Sequence, residues 1–320
     1  MSEISFEELT YLSADGTTTV HAYIWTPKAP RAIIQLSHGM CEYVERYDEW
    51  ARRFAEAGII FCGNDHLGHG RTAGDKSNLG YTAPRGGAEL LVEDLHQMSL
   101  IMRERYPDLP LFLYGHSMGS FAARLYLSKY GQLLSGALIS GTAGSGAPTG
   151  LALKLTHAIA RLRGVRHRSA FITSLAFGAY NKRFQKENDL HSWLTRDKTV
   201  RDRYEKDPFC HFVFTTAGYD TLFSLLNAVG KKAWADSVPK ELPILLFAGD
   251  MDPVGSYGKG VIEIHERLLA AGCNSTLKLY ENGRHEMHNE TNKDEVFGDL
   301  IDFLARIPMP ITDKEQNNEL

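Results

Sequence analysis

Cysteine is scarce in this chain. Cys41, Cys62, Cys210 and Cys273 lie far apart and none belongs to a CxxC pair. That argues against a zinc site or a disulfide framework and fits a reducing cytoplasm. Long apolar runs are missing as well. No window reaches the roughly 18 apolar residues of a membrane span. Nor does one sign of charge dominate: 35 Lys and Arg against 39 Asp and Glu leave a formal net charge of −4. No basic field is there to recruit nucleic acid, and no long basic run to hold an anionic membrane. The acidic opening "MSEISFEELTYLSADG" has no apolar core of the kind a signal peptide needs, so the expected location is cytoplasmic. The polar tail "TDKEQNNEL" is expected to fray.

What is present is an ordinary globular composition, 43% apolar in 320 residues. That is enough for one large α/β domain carrying an insertion. Apolar runs bounded by turn residues predict strands at 6–12, 20–25, 32–36, 59–63, 111–114, 136–139, 244–248 and 277–280. The "ADG" between the first two signals a hairpin, so the sheet should start antiparallel. Later runs such as "AIIQL", "LFLY" and "ILLFAG" are apolar at consecutive positions. Strands buried on both faces read that way, which predicts a mostly parallel sheet with helices on either side. Helical patterns fall at 47–57, 86–106, 117–130, 258–271 and 293–307. Between about 143 and 238 no buried strand is evident, and an all-helical insertion between the sixth and seventh strands is expected. The domain plan is therefore 1–142 and 239–320 as two parts of one core, with 143–238 inserted.

The stretch "LFLYGHSMGS" runs from a predicted strand into Gly115-His116-Ser117-Met118-Gly119 and then into a helical pattern. This is G-x-S-x-G in the context that gives it meaning: a tight strand-to-helix turn, two flanking glycines that avoid side-chain clashes, and a serine lifted above the sheet edge. Ser117 is the candidate nucleophile. A serine hydroxyl needs a base, and the base an orienting acid, each following a later strand. "PILLFAGDMDPVG" places Asp250 and Asp252 after one strand, and "TLKLYENGRHEMHNE" places His285 after the last. His285 is the expected base rather than His288. Either aspartate could reach an imidazole; Asp252, stiffened by Pro253, is favoured, with Asp250 assigned to bonding backbone N–H groups of the turn. "HEMH" lacks the HExxH spacing of a zinc protease, so no metal and no cofactor is expected. His66, His69, His96, His157 and His265 read as structural or solvated. Two amides should face the developing oxyanion: that of Met118, after the serine, and that of Met40, where His38-Gly39 lets the loop after the third strand turn inward.

The stretches "LSHGMCEYVERYDEWARRFAEAGIIFCGNDHLGHGRTAG", "LYGHSMGS", "GDMDPVG" and "YENGRHEMHNE" together resemble the monoacylglycerol lipase and lysophospholipase branch of the α/β-hydrolase family. His38, Gly39, Glu42, Arg46, Tyr47, Asp65, His66, Gly68, His69 and Gly70 match its HG-x-x-E, R-Y and D-H-x-G-H-G pattern. The resemblance implies the α/β-hydrolase fold, with an eight-stranded sheet and a helical cap between strands 6 and 7. It implies Ser117, Asp252 and His285 as nucleophile, acid and base, with Met40 and Met118 as amide donors. His-Gly-Met stands where His-Gly-Ala is common in monoacylglycerol lipases, and the larger side chain should narrow the acyl site.

The cap sequence bears on substrate. "SAFITSLAFGAYNKRF" concentrates Phe171, Ile172, Leu175, Phe177 and Tyr180. Phe171, Leu175, Phe177 and Tyr180 are the candidate acyl-binding residues, and the same surface could touch a membrane transiently. "DPFCHFVFTTAGYDTLFSLL" should form a facing wall. The expected partner is a small ester or single-chain lipid, not nucleic acid. Two other hydrolase readings use the same scaffold, a small-ester carboxylesterase and a serine aminopeptidase. The aminopeptidase would need cap acids to hold a free amino terminus, and basic residues outnumber them there. A non-catalytic ligand-binding protein would normally lack one of these parts.

Overall fold

The computed structural model describes residues 4–145 and 149–307; the polar tail expected to fray lies outside them. Eight strands form one sheet: β1 (Ser5–Leu12), β2 (Thr19–Thr26), β3 (Ala32–Ser37), β4 (Ile59–Asn64), β5 (Leu111–His116), β6 (Gly136–Ser140), β7 (Ile244–Gly249) and β8 (Ser275–Tyr280). Their spatial order is β1-β2-β4-β3-β5-β6-β7-β8. β1 pairs antiparallel with β2, and β2 with β4; every later pairing is parallel. Every residue of β3, β4, β5, β6 and β7 is buried, which is why their sequences are apolar without alternation.

Among the described residues the α-helices are α1 (Asp48–Glu56), α2 (Gly87–Arg105), α3 (Met118–Tyr130), α4 (Thr149–Arg163), α5 (Ala170–Phe177), α6 (Lys198–Lys206), α7 (Thr216–Gly230), α8 (Lys259–Ala270) and α9 (Lys293–Ala305). Alternate strand residues feed two cores. Ile33, Leu111, Leu113, Ile139 and Leu246 meet α2, α3 and α8 on one face. Ile34, Phe112, Tyr114, Leu138 and Phe247 meet α1 and α9 on the other. Helices α4 to α7 all fall between β6 and β7, with no strand in that interval among the described residues. The apolar run at 169–184 is helical only over α5 and continues as a single 3-10 turn, Tyr180–Arg183. No helix among the described residues is long and apolar enough to cross a membrane.

Arg124 on α3 fastens this insertion to the core. Its guanidinium donates to Thr142 Oγ1 (3.1 Å), the Ala143 carbonyl (2.8 Å) and the Val229 carbonyl on α7 (2.9 Å), and it lies 4.5 Å over the Trp234 ring. Burial away from water pulls its pKa down to about 9.

The two glycines around Ser117 have separate steric reasons. A Cβ on Gly115 would stand 2.6 Å from the Ala123 Cβ and 2.8 Å from the Gly119 carbonyl oxygen, inside α3. A Cβ on Gly119 would collide with the Ser37 and His38 carbonyl oxygens at the end of β3. Backbone is the obstacle there, so it cannot swing aside. Gly119→Ala is therefore expected to destabilise the fold by about 3 kcal/mol, as overpacking against fixed backbone does. Urea unfolding measures it, and an unchanged midpoint would mean that α3 has room to shift.

Candidate active site

Parallel strands in an open α/β sheet present their carboxyl ends on one side, where the loops gather. Ser117 follows β5, His38 to Met40 follow β3, Asp250 and Asp252 follow β7, and His285 follows β8. Ser117 sits at φ 52°, ψ −122°, a region a residue with a side chain occupies only when its surroundings force it, at about 1–3 kcal/mol. The flanking contacts supply that force: the Ser117 amide donates to the Ser140 carbonyl (3.0 Å), and α3 begins at the next residue.

The side chains then line up. Ser117 Oγ lies 2.8 Å from His285 Nε2, and His285 Nδ1 lies 2.9 Å from Asp252 Oδ2. Asp252 is wholly buried, and its other oxygen accepts from the Val254 amide at 2.8 Å. Burial works against a charged imidazole at His285, but the Asp252 carboxylate more than offsets it, through its charge and its hydrogen bond, and the net pKa is raised. The other imidazoles near the site behave differently. Burial pulls His38 and His116 well below their ordinary value, His66 and His288 to about 3 and His69 to about 4. These five are held neutral. His288 stacks on Tyr47 at 4.4 Å, and neither of its nitrogens has a hydrogen-bond partner among the described residues. His66 and His69 pack against His38.

Asp250 departs from expectation. Neither of its carboxylate oxygens accepts a backbone N–H among the described residues, and Oδ1 is buried without a partner. Asp252 performs the turn-bonding assigned to Asp250, through the Val254 amide, while also reaching His285. The Met40 and Met118 amides donate to no group among the described residues, and both residues line the cavity that holds Ser117 and His285.

A buried ionic network braces this arrangement. Glu42 accepts from the Gly39 amide, from Tyr47 Oη at 2.9 Å and from Arg46 at 2.8 Å. Arg46 also grips Glu286, the neighbour of His285, through two bonds of 3.1 Å. One guanidinium thus ties the loop of the Met40 amide to the loop of His285. Burial pushes the Glu42 carboxyl up, whereas at Glu286 the Arg46 charge outweighs burial and holds the carboxyl down.

The insertion also grips the His285 loop. The His285 and Glu286 amides donate to the Trp193 and Leu194 carbonyls at 3.3 and 2.7 Å, Arg196 pairs with Glu290 at 2.8 Å, and the Trp193 ring lies 5.0 Å from that of His285. Trp193 and Glu286 carry no sequence signal of their own. The acids of "HEMHNE" are the one trace, readable only once their partners are known.

Above Ser117 opens a cavity of about 1220 Å³. Phe171, Leu175, Phe177 and Tyr180 all line it, whereas Ile172 is fully buried elsewhere. Phe212, Val213, Leu222, Phe223 and Leu226 supply further wall from the facing segment.

The sequence profile of the hydrolase family described as serine aminopeptidase, S33 matches residues 28–292. The chain belongs to this family. Among relatives of this S33 hydrolase, human monoglyceride lipase is 31% identical over 293 residues, 90% of this chain and 86% of that protein. The monoacylglycerol lipase of Mycolicibacterium smegmatis is 30% identical over 289 residues, 88% and 91% of the two chains. In three dimensions the S33 hydrolase is similar to a thermostable carboxyl esterase from Bacillus coagulans in complex with glycerol, with TM-score 0.89, 33% identity and coverage of 95% and 99%. A soluble variant of the Saccharomyces cerevisiae monoglyceride lipase shares the fold, with TM-score 0.71, 19% identity and 95% of each chain covered.

Proposed function

We propose that this protein is a serine ester hydrolase acting on single-chain acyl esters of the monoacylglycerol or lysophospholipid class. The observation that carries this reading is the Ser117–His285–Asp252 chain of hydrogen bonds at the floor of a large, mainly apolar cavity. Its volume of about 1220 Å³ exceeds the range of roughly 300–1,000 Å³ usual for small-molecule pockets, which suits an acyl chain rather than a compact ester. The kinship with monoglyceride lipases and a carboxyl esterase supports the same class.

The reaction runs in two halves. Ser117 Oγ attacks the acyl carbonyl as His285 Nε2 takes its proton, while Asp252 holds the Nδ1–H and favours the imidazolium. The Met40 and Met118 amides donate to the oxyanion. Collapse breaks the ester bond, and the leaving alcohol takes the proton from His285. Water, deprotonated by His285, then attacks the acyl-enzyme; the acyl–Oγ bond breaks, His285 returns the proton to Ser117 Oγ, and the carboxylic acid leaves.

Helices α4 to α7 act as a cap on the core in this reading. Leu151, Phe171, Leu175 and Leu190 line the cavity yet are 55–80% exposed, and Leu162 is 82% exposed between Arg161 and Arg163. Such a surface suits brief contact with a lipid interface by a protein otherwise in the cytoplasm.

The family description favours a second reading, an aminopeptidase. It would need an unneutralised carboxylate to receive a substrate ammonium. Glu42 and Glu286 in the cavity wall are engaged by Arg46, and Glu263 by Ser145 and Arg267, which favours the ester.

Hydrolysis rates over p-nitrophenyl esters from acetate to palmitate, with Ser117→Ala as blank, test the proposal. The expected maximum falls at medium or long chains. Activity confined to acetate and butyrate would overturn the lipid reading in favour of a small-ester esterase.

A further inference from the structure

We infer that His191, Glu205 and His211 form a binding site for a divalent transition-metal ion, Zn²⁺ foremost, at the outer edge of the cavity. The three residues come from separate segments of the insertion: the turn before α6, the last turn of α6, and the stretch between α6 and α7. One potential ligand atom from each lies within 4.8 Å of the other two. Small side-chain rotations would bring all three onto a common ion at the about 2.0–2.2 Å that zinc–nitrogen and zinc–oxygen bonds require.

The local structure brings the rings together. His211 stands at φ 43°, a left-handed value that histidine adopts more readily than most residues with side chains. Its ring centroid is 5.8 Å from that of His191. His191 Nε2 and Glu205 Oε2 are 2.6 Å apart in a direct hydrogen bond, which a shared cation would replace once the two side chains separate slightly. The His191 side chain is only 17% exposed and that of Glu205 57%, which leaves the ion an approach from solvent.

The donor set decides the ion. Two imidazole nitrogens and one carboxylate suit Zn²⁺ with a water in the fourth position, whereas Mg²⁺ and Ca²⁺ want an oxygen shell that a single carboxylate cannot supply. His191 and His211 both line the cavity. A bound ion would therefore clip three segments of the insertion together at the cavity edge. Spacing could not announce the site, because its ligands are spread over 21 positions and match no metal motif.

The full chain, freed of metal by a chelator and dialysed, is titrated with ZnCl₂ by calorimetry, and its thermal midpoint is followed with and without the ion. One Zn²⁺ per chain is expected at a micromolar dissociation constant. The midpoint should rise because the ion binds only the folded chain. Glu205→Gln and His211→Ala should each weaken binding by about tenfold or more, and MgCl₂ should give no heat. Should His211→Ala fail to fold, Glu205→Gln, altered at an exposed position, is sufficient by itself to test the site. Absence of binding at micromolar Zn²⁺, or an affinity that neither substitution changes, overturns the assignment.

Discussion

Replacing Ser117 with alanine should lower kcat/KM on the preferred ester by about 10⁴- to 10⁶-fold, the range seen when a serine hydrolase loses its nucleophile. The reason is local. No other hydroxyl is bonded to His285 Nε2 in this structure, and the 2.8 Å contact belongs to Ser117 alone among the described residues. The fold should survive, since alanine fits the space and leaves the Ser117 amide bond to the Ser140 carbonyl in place. KM should change little, because the walls of the cavity above Ser117 are untouched. A fluorophosphonate should add to wild-type protein at Ser117 and leave the variant unlabelled by mass spectrometry. Retention of activity within about tenfold of wild type, against the loss expected of a nucleophile, would put the chemistry elsewhere.

Asp252→Asn carries the next largest effect, about 10⁴-fold in kcat, the size seen when the orienting acid of such a triad becomes an amide. An asparagine amide can offer an N–H to His285 Nδ1 and so hold the imidazole in the tautomer that cannot accept the Ser117 proton. The pH profile supplies an independent readout. A general base works unprotonated, so the rate of the wild type rises with pH as His285 loses its proton. Burial alone would depress the His285 pKa, and the Asp252 charge and hydrogen bond raise it. Removing that carboxylate therefore leaves the depressing influence unopposed, and the acidic limb should move to lower pH. Asp250→Asn makes the contrast. Its side chain touches neither His285 nor a turn amide, so rate and pH limb should stay close to wild type. A large loss at Asp250 with a small one at Asp252 would reverse the assignment of the acid.

Much of this architecture can be read locally. The strands of the parallel core are written as consecutive apolar residues because both faces are covered. The hairpin that opens the sheet is written in "ADG", and β1 and β2 pair antiparallel as that turn demands. The turn around Ser117 is legible because its glycines answer to backbone within the same strand–helix unit, or just across it. The positions at which Asp252 and His285 stand follow from one topological fact, that loops after parallel strands share an edge.

Other features depend on chain segments that meet only in the folded state. Asp250 and Asp252 are two residues apart with the same chemistry, and nothing local separates them; the crossing of the β7 and β8 loops turns one toward His285 and leaves the Oδ1 of the other without a hydrogen-bond partner among the described residues. Arg46 and Glu286 stand 240 positions apart, yet their pairing braces the loop of the Met40 amide against that of His285. Trp193 reaches His285 only because the insertion folds back onto the β8 loop.

By itself, then, the sequence determined the class of sheet, the sharp turn that presents Ser117 and the strand ends at which Asp252 and His285 stand. The first rests on periodicity within a few residues, the second on a local turn pattern, and the third on the rule that loops after parallel strands share one edge. The tertiary structure alone decided which aspartate bonds the imidazole, which charges neutralise one another beneath the site and which side chains of the insertion face the cavity rather than the core. Those outcomes turn on distances of a few ångströms between segments far apart in the chain, and on burial, which sets whether a carboxylate or an imidazole holds its charge.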